Sequence, residues 1–197
     1  MPITISIPAL RNFGACAPRL RRAHAQLRRV RAKGPYSAAD AKAAKVTFDD
    51  VIWAATVAAG ENLDIKRRLL LWAADCAARV LHIYEEAGDD PAPRNAILAA
   101  RRFARGETYH ITRGIAAADA EAAARDARRT HETAWAAAWA ASLAANGFYT
   151  TTATSASLAV GLLADATDVE RTWQYDRLVL RLSDDEPADW PLPERNR

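Results

Sequence analysis

The amino-acid sequence predicts an all-α protein: a single-domain bundle built on antiparallel helical hairpins, ending in an irregular acidic tail. Three observations support this prediction. Alanine, the strongest helix former, supplies 47 of the 197 residues, whereas there are only eight glycines. Apolar residues recur at spacings of three and four, and Gly or Pro stops separate these periodic segments. We expect a helical domain over residues 1–183 and a Pro-rich acidic tail over residues 184–197.

The beginning of the chain is strongly basic. Residues 1–39 hold eight Arg or Lys and no acidic residue, whereas the remainder carries a net charge of −5. Residues 3–7 alternate apolar and small polar side chains, which is typical of a short strand or an extended arm. A helix is predicted from Pro18 to a stop at Gly34, with arginines crowding the positions outside its apolar face. Four of them are candidate partner-binding residues: Arg21, Arg22, Arg28 and Arg29.

Two further helices are predicted before residue 60. A short Ala-rich helix can follow Ser37. Thr47 with Asp50 three residues later resembles a capping box, and it precedes an apolar segment that ends at Gly60.

The segment 64–106 predicts two antiparallel helices, which we expect at the centre of the fold. The first has Asp64 as its predicted N-cap and a wide apolar stripe, and Gly88 is its predicted left-handed stop. Asp90 is the expected N-cap of the second helix, which ends at Gly106.

Beyond this hairpin, one long helix is predicted over residues 112–145, with a strong stop at Asn146-Gly147. The polar run 150–157 suggests a helix that starts late within it, although a strand is also compatible with its threonines. Asp168 is the expected cap of the last helix.

One carboxylate, Asp75, lies within the apolar run of the first hairpin helix. In a hairpin that turns near residue 90, residue numbers that face each other sum to about 179. Asp75 is therefore expected near three arginines, and Arg94 is expected near Glu85. The three are Arg101, Arg102 and Arg105. The prediction is a structural ion pair that sets the register of the hairpin.

The sequence indicates no catalytic, cofactor-binding or metal-binding residues, and we expect a protein that is not an enzyme. The four histidines are widely separated, and His131-Glu132 lacks the second His of a zinc-protease motif. His82 and Glu86 are four apart, but a single such pair is a weak metal signal. Cys76 and His82 would point to different sides of one helix, which argues against a Cys/His dyad.

The tail offers a second candidate partner-binding set: Asp184, Asp185, Glu186 and Trp190. Its acidic residues either enter a basic cleft on a partner or form a solvated end. Trp190 is either an interface hot spot or folds back onto the helical body.

No apolar run approaches the roughly 18 residues of a membrane span, so we expect a soluble, cytoplasmic protein. Cys16 and Cys76 lack a CxxC spacing and are expected to be reduced thiols.

The central block resembles a known family. The residues that carry the resemblance are Leu71-Trp72-Ala73-Ala74-Asp75-Cys76-Ala77-Ala78-Arg79-Val80-Leu81, Asp89-Asp90-Pro91, Pro93-Arg94-Asn95-Ala96-Ile97 and Ala100-Arg101-Arg102-Phe103-Ala104-Arg105-Gly106-Glu107, with Glu170-Arg171 and Trp173-Gln174 further on. Over about residues 10–182 the chain is similar to the putative immunity proteins of bacterial polymorphic-toxin systems, the immunity-five-like helical domain. It departs from that pattern at 150–157, where histidines are expected.

The resemblance implies an all-helical inhibitor that binds a cognate protein toxin without catalysis, and it assigns no catalytic residue. The matching motif residues are expected to be structural: Trp72, Asp75, Cys76, Asp90, Arg94, Arg101 and Trp173. A nucleic-acid-binding or regulatory helical module is the alternative, but the basic helix carries no Tyr, Phe or Trp for base stacking. The sequence does not predict an oligomeric state. Of the two charged surfaces we prefer the Arg-rich helix as the toxin-binding surface, because an ordered helix binds without the entropy cost of ordering a tail.

Overall fold

A computed structural model describes residues 3–12, 17–60, 62–164, 166–183 and 187–194 of the chain. These residues form ten helices and one two-stranded sheet, which confirms the all-α prediction. The helices are α1 (Ile7–Asn12), α2 (Ala17–Val30), α3 (Ala38–Ala43), α4 (Phe48–Ala59), α5 (Leu63–Glu85), α6 (Ala92–Ala104), α7 (His110–Ala127), α8 (Glu132–Asn146), α9 (Tyr149–Ala164) and α10 (Thr167–Arg181). Residues 187–194 are irregular.

The sheet is a small antiparallel ribbon. Strand β1 (Thr4–Ile5) pairs with β2 (Tyr36–Ser37), and Thr4 faces Ser37 in the register. Of the two predictions for residues 3–7, the short strand is therefore the correct one.

Contacts divide the described residues into two compact units. The first, called unit 1 here, comprises the residues within 1–69 and 175–187; unit 2 comprises those within 70–174 and 188–197. Helices α5 and α10 each contribute residues to both units.

Unit 1 is stabilised by helix caps and by hydrogen bonds to residues of α10 and the residue that follows it. Ser37 and Asp40 form a capping box at α3, and the Thr47 hydroxyl accepts a hydrogen bond from the Asp50 N–H at the start of α4. The Tyr175 hydroxyl donates to the Val46 carbonyl at 3.1 Å, and the Ile3 N–H donates to the Leu182 carbonyl at 3.2 Å.

Unit 2 is built from alanine-rich helices that approach closely. Helix α7 packs against α6 and α8, and α8 also packs against α9. The Ser142 hydroxyl of α8 donates to the Ala117 carbonyl of α7 at 3.0 Å. A bond from so short a side chain to the backbone of the next helix is possible only because small residues let the two helices approach closely. In α5, the Trp72 indole is fully buried and donates to the Gln174 carbonyl at 2.9 Å.

Three cap predictions in the hairpin have different outcomes. Asn62, rather than Asp64, caps α5, because its side-chain oxygen accepts from the N–H groups of Asp64 (2.9 Å) and Ile65 (3.1 Å). Gly88 does not have a positive φ; α5 ends instead through tight turns onto the Tyr84 carbonyl. Pro91, rather than Asp90, is the N-cap of α6, although the Asp90 carboxylate still accepts from the Ala92 N–H at 2.8 Å.

The predicted single helix over 112–145 is wrong, because the chain turns between α7 and α8. Thr130 lies in this turn, and its hydroxyl donates to the Ala127 carbonyl at 3.3 Å, which competes with continuation of the helix. The turn allows the buried alanines of α8 to pack against α7.

The threonine run was also predicted incorrectly, since α9 begins at Tyr149, before the run. The Thr152 and Thr154 hydroxyls donate to carbonyls four residues earlier, at 2.8 and 3.1 Å, and this bonding is compatible with a helix. Asp168 lies inside the first turn of α10, which starts at Thr167, and so does not cap it.

Candidate functional site

Helix α2 carries the strongest candidate for a partner-binding surface in unit 1. At 100° per residue, Arg21, Arg22, Arg28 and Arg29 fall within one arc of roughly 120°, and we call these four residues the Arg face. All four are exposed, and none of them forms an ion pair with another described residue. The fold thus presents four guanidinium groups to solvent on an ordered helix.

The opposite side of α2 explains why the Arg face is exposed. Leu20 and Leu27 are buried in the core of unit 1 and fix the rotation of the helix about its axis. Arg31 is set apart from the four, because it lies 3.8 Å from the Asp40 carboxylate. Helix α2 contains no acidic residue that could neutralise the Arg face from within.

Trp190, the other predicted partner anchor, is folded back within unit 2. Its ring meets the Trp173 ring edge-on, with centroids 4.9 Å apart, and the Arg79 guanidinium lies 5.4 Å from its centroid. Its backbone N–H donates to the Asp75 carboxylate at 2.8 Å, and its carbonyl accepts from Arg101 at 2.5 Å. Of the two predictions for Trp190, an interface hot spot or packing on the helical body, the structure therefore favours the packing.

The buried carboxylate Asp75 is paired as the hairpin register predicts. Its Oδ1 lies 3.2 Å from Nη2 of Arg101, and the two side chains are 0% and 6% exposed. Arg105, by contrast, pairs with Asp189 of the tail. Near the turn, Arg94 makes two 2.7 Å bonds to Glu85 and a 2.6 Å bond to the Pro193 carbonyl. Arg102 is exposed.

A second buried carboxylate, Glu170 on α10, was not predicted from the sequence. It accepts from Arg79 at 2.6 Å, and the Gln174 amide donates to its other oxygen at 3.1 Å. The Arg79 guanidinium also lies 4.5 Å from the Trp173 ring centroid. The sequence did contain a pattern that indicates this site. Glu170 and Gln174 are four residues apart, so their two polar side chains lie on the same side of α10.

Of the remaining residues singled out in the sequence, most lie outside the described part of the chain. Asp184, Asp185 and Glu186 of the proposed acidic set, and Cys16, lie outside the described residues. Cys76 is fully buried.

The described residues were predicted to hold no metal, and their potential metal-ligating side chains are not clustered. No group of three or more His, Cys, Asp or Glu among them has the geometry of a metal site. His82 is exposed, and its Nδ1 lies 3.1 Å from the Arg79 carbonyl of its own helix. Among these residues, no helix is both long and apolar enough to cross a bilayer.

An exposed apolar surface on α7 was not predicted from the sequence. Ile111 and Ile115, four residues apart on one side of that helix, are 63% and 60% exposed. Arg113 points elsewhere: its guanidinium lies 4.3 Å from the Phe103 ring centroid, and burial lowers its pKa below the ordinary value. The spacing of the isoleucines was the available signal, but it could not show whether that side of α7 faces the core.

The fold and these surfaces define an all-α protein whose described residues offer charged and apolar contact surfaces. A family model described as "Imm-5 like putative immunity protein" matches residues 62–181. The match spans more than half of the chain, which therefore belongs to this family. No curated protein and no solved structure matched the chain in the corresponding comparisons.

Proposed function

We propose that this protein protects a bacterial cell by binding a cognate toxin of a polymorphic-toxin system directly, in the cytoplasm and without catalysis. Membership of the immunity family supports the immunity role. The observation that carries the choice of surface is the Arg face, four exposed guanidinium groups on an ordered helix that pair with no carboxylate in the described part of the chain. Its partner surface is acidic, because arginines of this kind recognise carboxylates by paired hydrogen bonds.

The tail is the weaker candidate for toxin binding. Trp190 already packs on Trp173 and Arg79, and Asp189 already pairs with Arg105. A toxin that used Trp190 as its anchor would first have to break these contacts and expose the Asp75 carboxylate. Such a displacement costs affinity, whereas the Arg face is available without rearrangement.

Electrostatic complementarity predicts how the Arg face acts. Charged surfaces steer association, so loss of the Arg face slows binding more than it speeds dissociation. The association rate should therefore fall with rising salt, because ions screen the attraction over about 10 Å at 0.1 M.

The test begins by purifying the protein from its source cell and identifying the partner that is retained. The toxin is then expressed with the intact protein or with a variant in which all four residues of the Arg face are changed to Ala. The control variant removes the same charge elsewhere, by changing Lys66, Arg102, Arg125 and Arg129 to Ala; all four are exposed. We expect the Arg-face variant to lose protection and its association rate to fall at least tenfold, while the control retains both.

Three results would contradict the proposal. Full protection by the Arg-face variant would exclude this surface, and loss of protection in Ile115→Asp alone would move the interface to α7. Tight, salt-sensitive binding of the intact protein to generic duplex DNA, lost in the Arg-face variant, would support the nucleic-acid alternative instead.

A further inference from the structure

Unit 1 contains a largely apolar cavity of about 320 Å³ that is partly open to solvent. The ribbon and helices α1 to α4 form its wall, together with Leu182 at the end of α10. The apolar lining includes Ile5, Ile7, Leu10, Leu20, Leu27 and Val51. A concave, mostly apolar cavity of this size is typical of a small-molecule site.

The wall contains a polar group that no other described residue satisfies. Tyr36 lines the cavity and is 5% exposed, and its hydroxyl is buried without a hydrogen-bond partner among the described residues. A buried hydroxyl without a partner costs about 1–3 kcal/mol, so a site of this kind is stabilised by a ligand that supplies the partner. A buried water needs about two to four polar partners, and besides Tyr36 the lining side chains offer oxygen atoms only from Ser37 and Asp50.

The electrostatics of the wall restrict the charge of such a ligand. Asp50 also lines the cavity, and its carboxylate accepts a hydrogen bond from the Thr47 hydroxyl at 2.7 Å. A second carboxylate brought into this apolar space would be repelled and would lose its hydration. The site therefore disfavours anions such as fatty acids.

We propose that this cavity binds a small neutral amphiphile, with its hydrocarbon part against the isoleucines and leucines and its single polar group hydrogen-bonded to the Tyr36 hydroxyl. At about 30 Å³ per non-hydrogen atom, the liquid volume of a water, 320 Å³ holds roughly ten such atoms. The volume fits a single short chain and excludes a two-chain lipid. This ligand site is independent of the toxin-binding proposal, because it uses the opposite side of α2 from the Arg face.

Titration of the full chain with 1-octanol, which has nine non-hydrogen atoms and one hydroxyl, tests the proposal. Binding is followed by calorimetry and by the tryptophan fluorescence of the chain, to which Trp53, a lining residue, contributes as one of six tryptophans. We expect saturable binding with one site per chain. Octanoate, with the same chain length and a negative charge, should bind at least tenfold more weakly at pH 7, and Asp50→Asn should narrow that difference.

Two variants separate a specific site from a general effect of alcohol. Tyr36→Phe should weaken octanol binding about fivefold, because it removes the hydrogen-bonding partner. Ala23→Phe fills the cavity and should abolish binding, whereas Ala25→Phe, on the exposed side of the same helix, should leave it unchanged. The melting temperature of each variant shows that it is folded. Absence of saturable octanol binding by the intact protein, or equal binding by the folded Ala23→Phe variant, would overturn the proposal.

Discussion

The backbone N–H of Trp190 donates a 2.8 Å hydrogen bond to the carboxylate of Asp75, a side chain with no solvent exposure. The segment 188–194 is thus part of the interior bonding of unit 2, although it has no regular structure. Deleting everything after Ser183 would consequently disturb the helices and would not isolate a toxin-binding role of the tail. Point substitutions on the Arg face are the cleaner experiment.

Asp75 and Arg101 are expected to stabilise the fold only when both are present. Asp75→Ala should lower the free energy of unfolding by about 3 kcal/mol, because it removes a fully buried carboxylate from the Arg101 guanidinium and the acceptor from the Trp190 N–H. The Asp189 carboxylate, 3.4 Å from Nε of Arg101, remains as a second partner. The double variant Asp75→Ala with Arg101→Met should recover part of that loss. Urea unfolding of both single variants and the double variant gives the coupling energy, and a value near zero would contradict a buried pair.

Trp190 is expected to contribute to stability independently of toxin binding. Trp190→Ala removes the edge-on contact with Trp173 and the contact with Arg79, and we expect a loss of about 2 kcal/mol. The neighbouring exposed Pro191 provides the control, since Pro191→Ala should change stability little. Thermal unfolding of the two variants distinguishes them, and equal melting temperatures would show that the Trp190 ring packs weakly.

The close approach of α7 and α8 predicts intolerance to larger side chains. Ala120 is fully buried one turn from Ala117, which accepts the hydrogen bond from Ser142. Ala120→Leu should cost about 2 kcal/mol through overpacking. On the exposed side of the same helix, Ala122→Leu should be close to neutral. Chemical denaturation measures both, and a stability of Ala120→Leu equal to that of the unmodified protein would argue against tight packing here.

Tyr175 is expected to make the fold sensitive to alkali. Burial, with a smaller effect of the Asp50 charge, raises the pKa of Tyr175 well above its ordinary value of 10.0. The unfolded chain therefore loses this proton near pH 10 while the folded chain keeps it, so the free energy of unfolding falls as the pH rises above about 10.

Tyr175→Phe should show a shallower fall in stability between pH 9 and pH 11, as measured by urea unfolding. Below pH 9 the variant should be less stable, because it loses the hydrogen bond to the Val46 carbonyl. Parallel curves for the two proteins across this range would show that Tyr175 ionises equally in both states.

The sequence by itself determined the fold class and the central hairpin, because alanine content, apolar periodicity and helix geometry act locally. The same local geometry placed Asp75 opposite Arg101 and Arg94 opposite Glu85. It also identified the Arg face, since four charges in one arc of a helix leave only the opposite arc for the core.

The tertiary structure decided what depends on contacts between distant parts of the chain. A run of alanine and threonine has no strong period, so packing determines where the helices break at 128–131 and begin at 149. The same holds for Trp190, whose partners lie far away in sequence on α5, α6 and α10. The cavity beside Tyr36 is also a property of the assembled unit 1, because a void exists only where packed elements fail to fill the space between them.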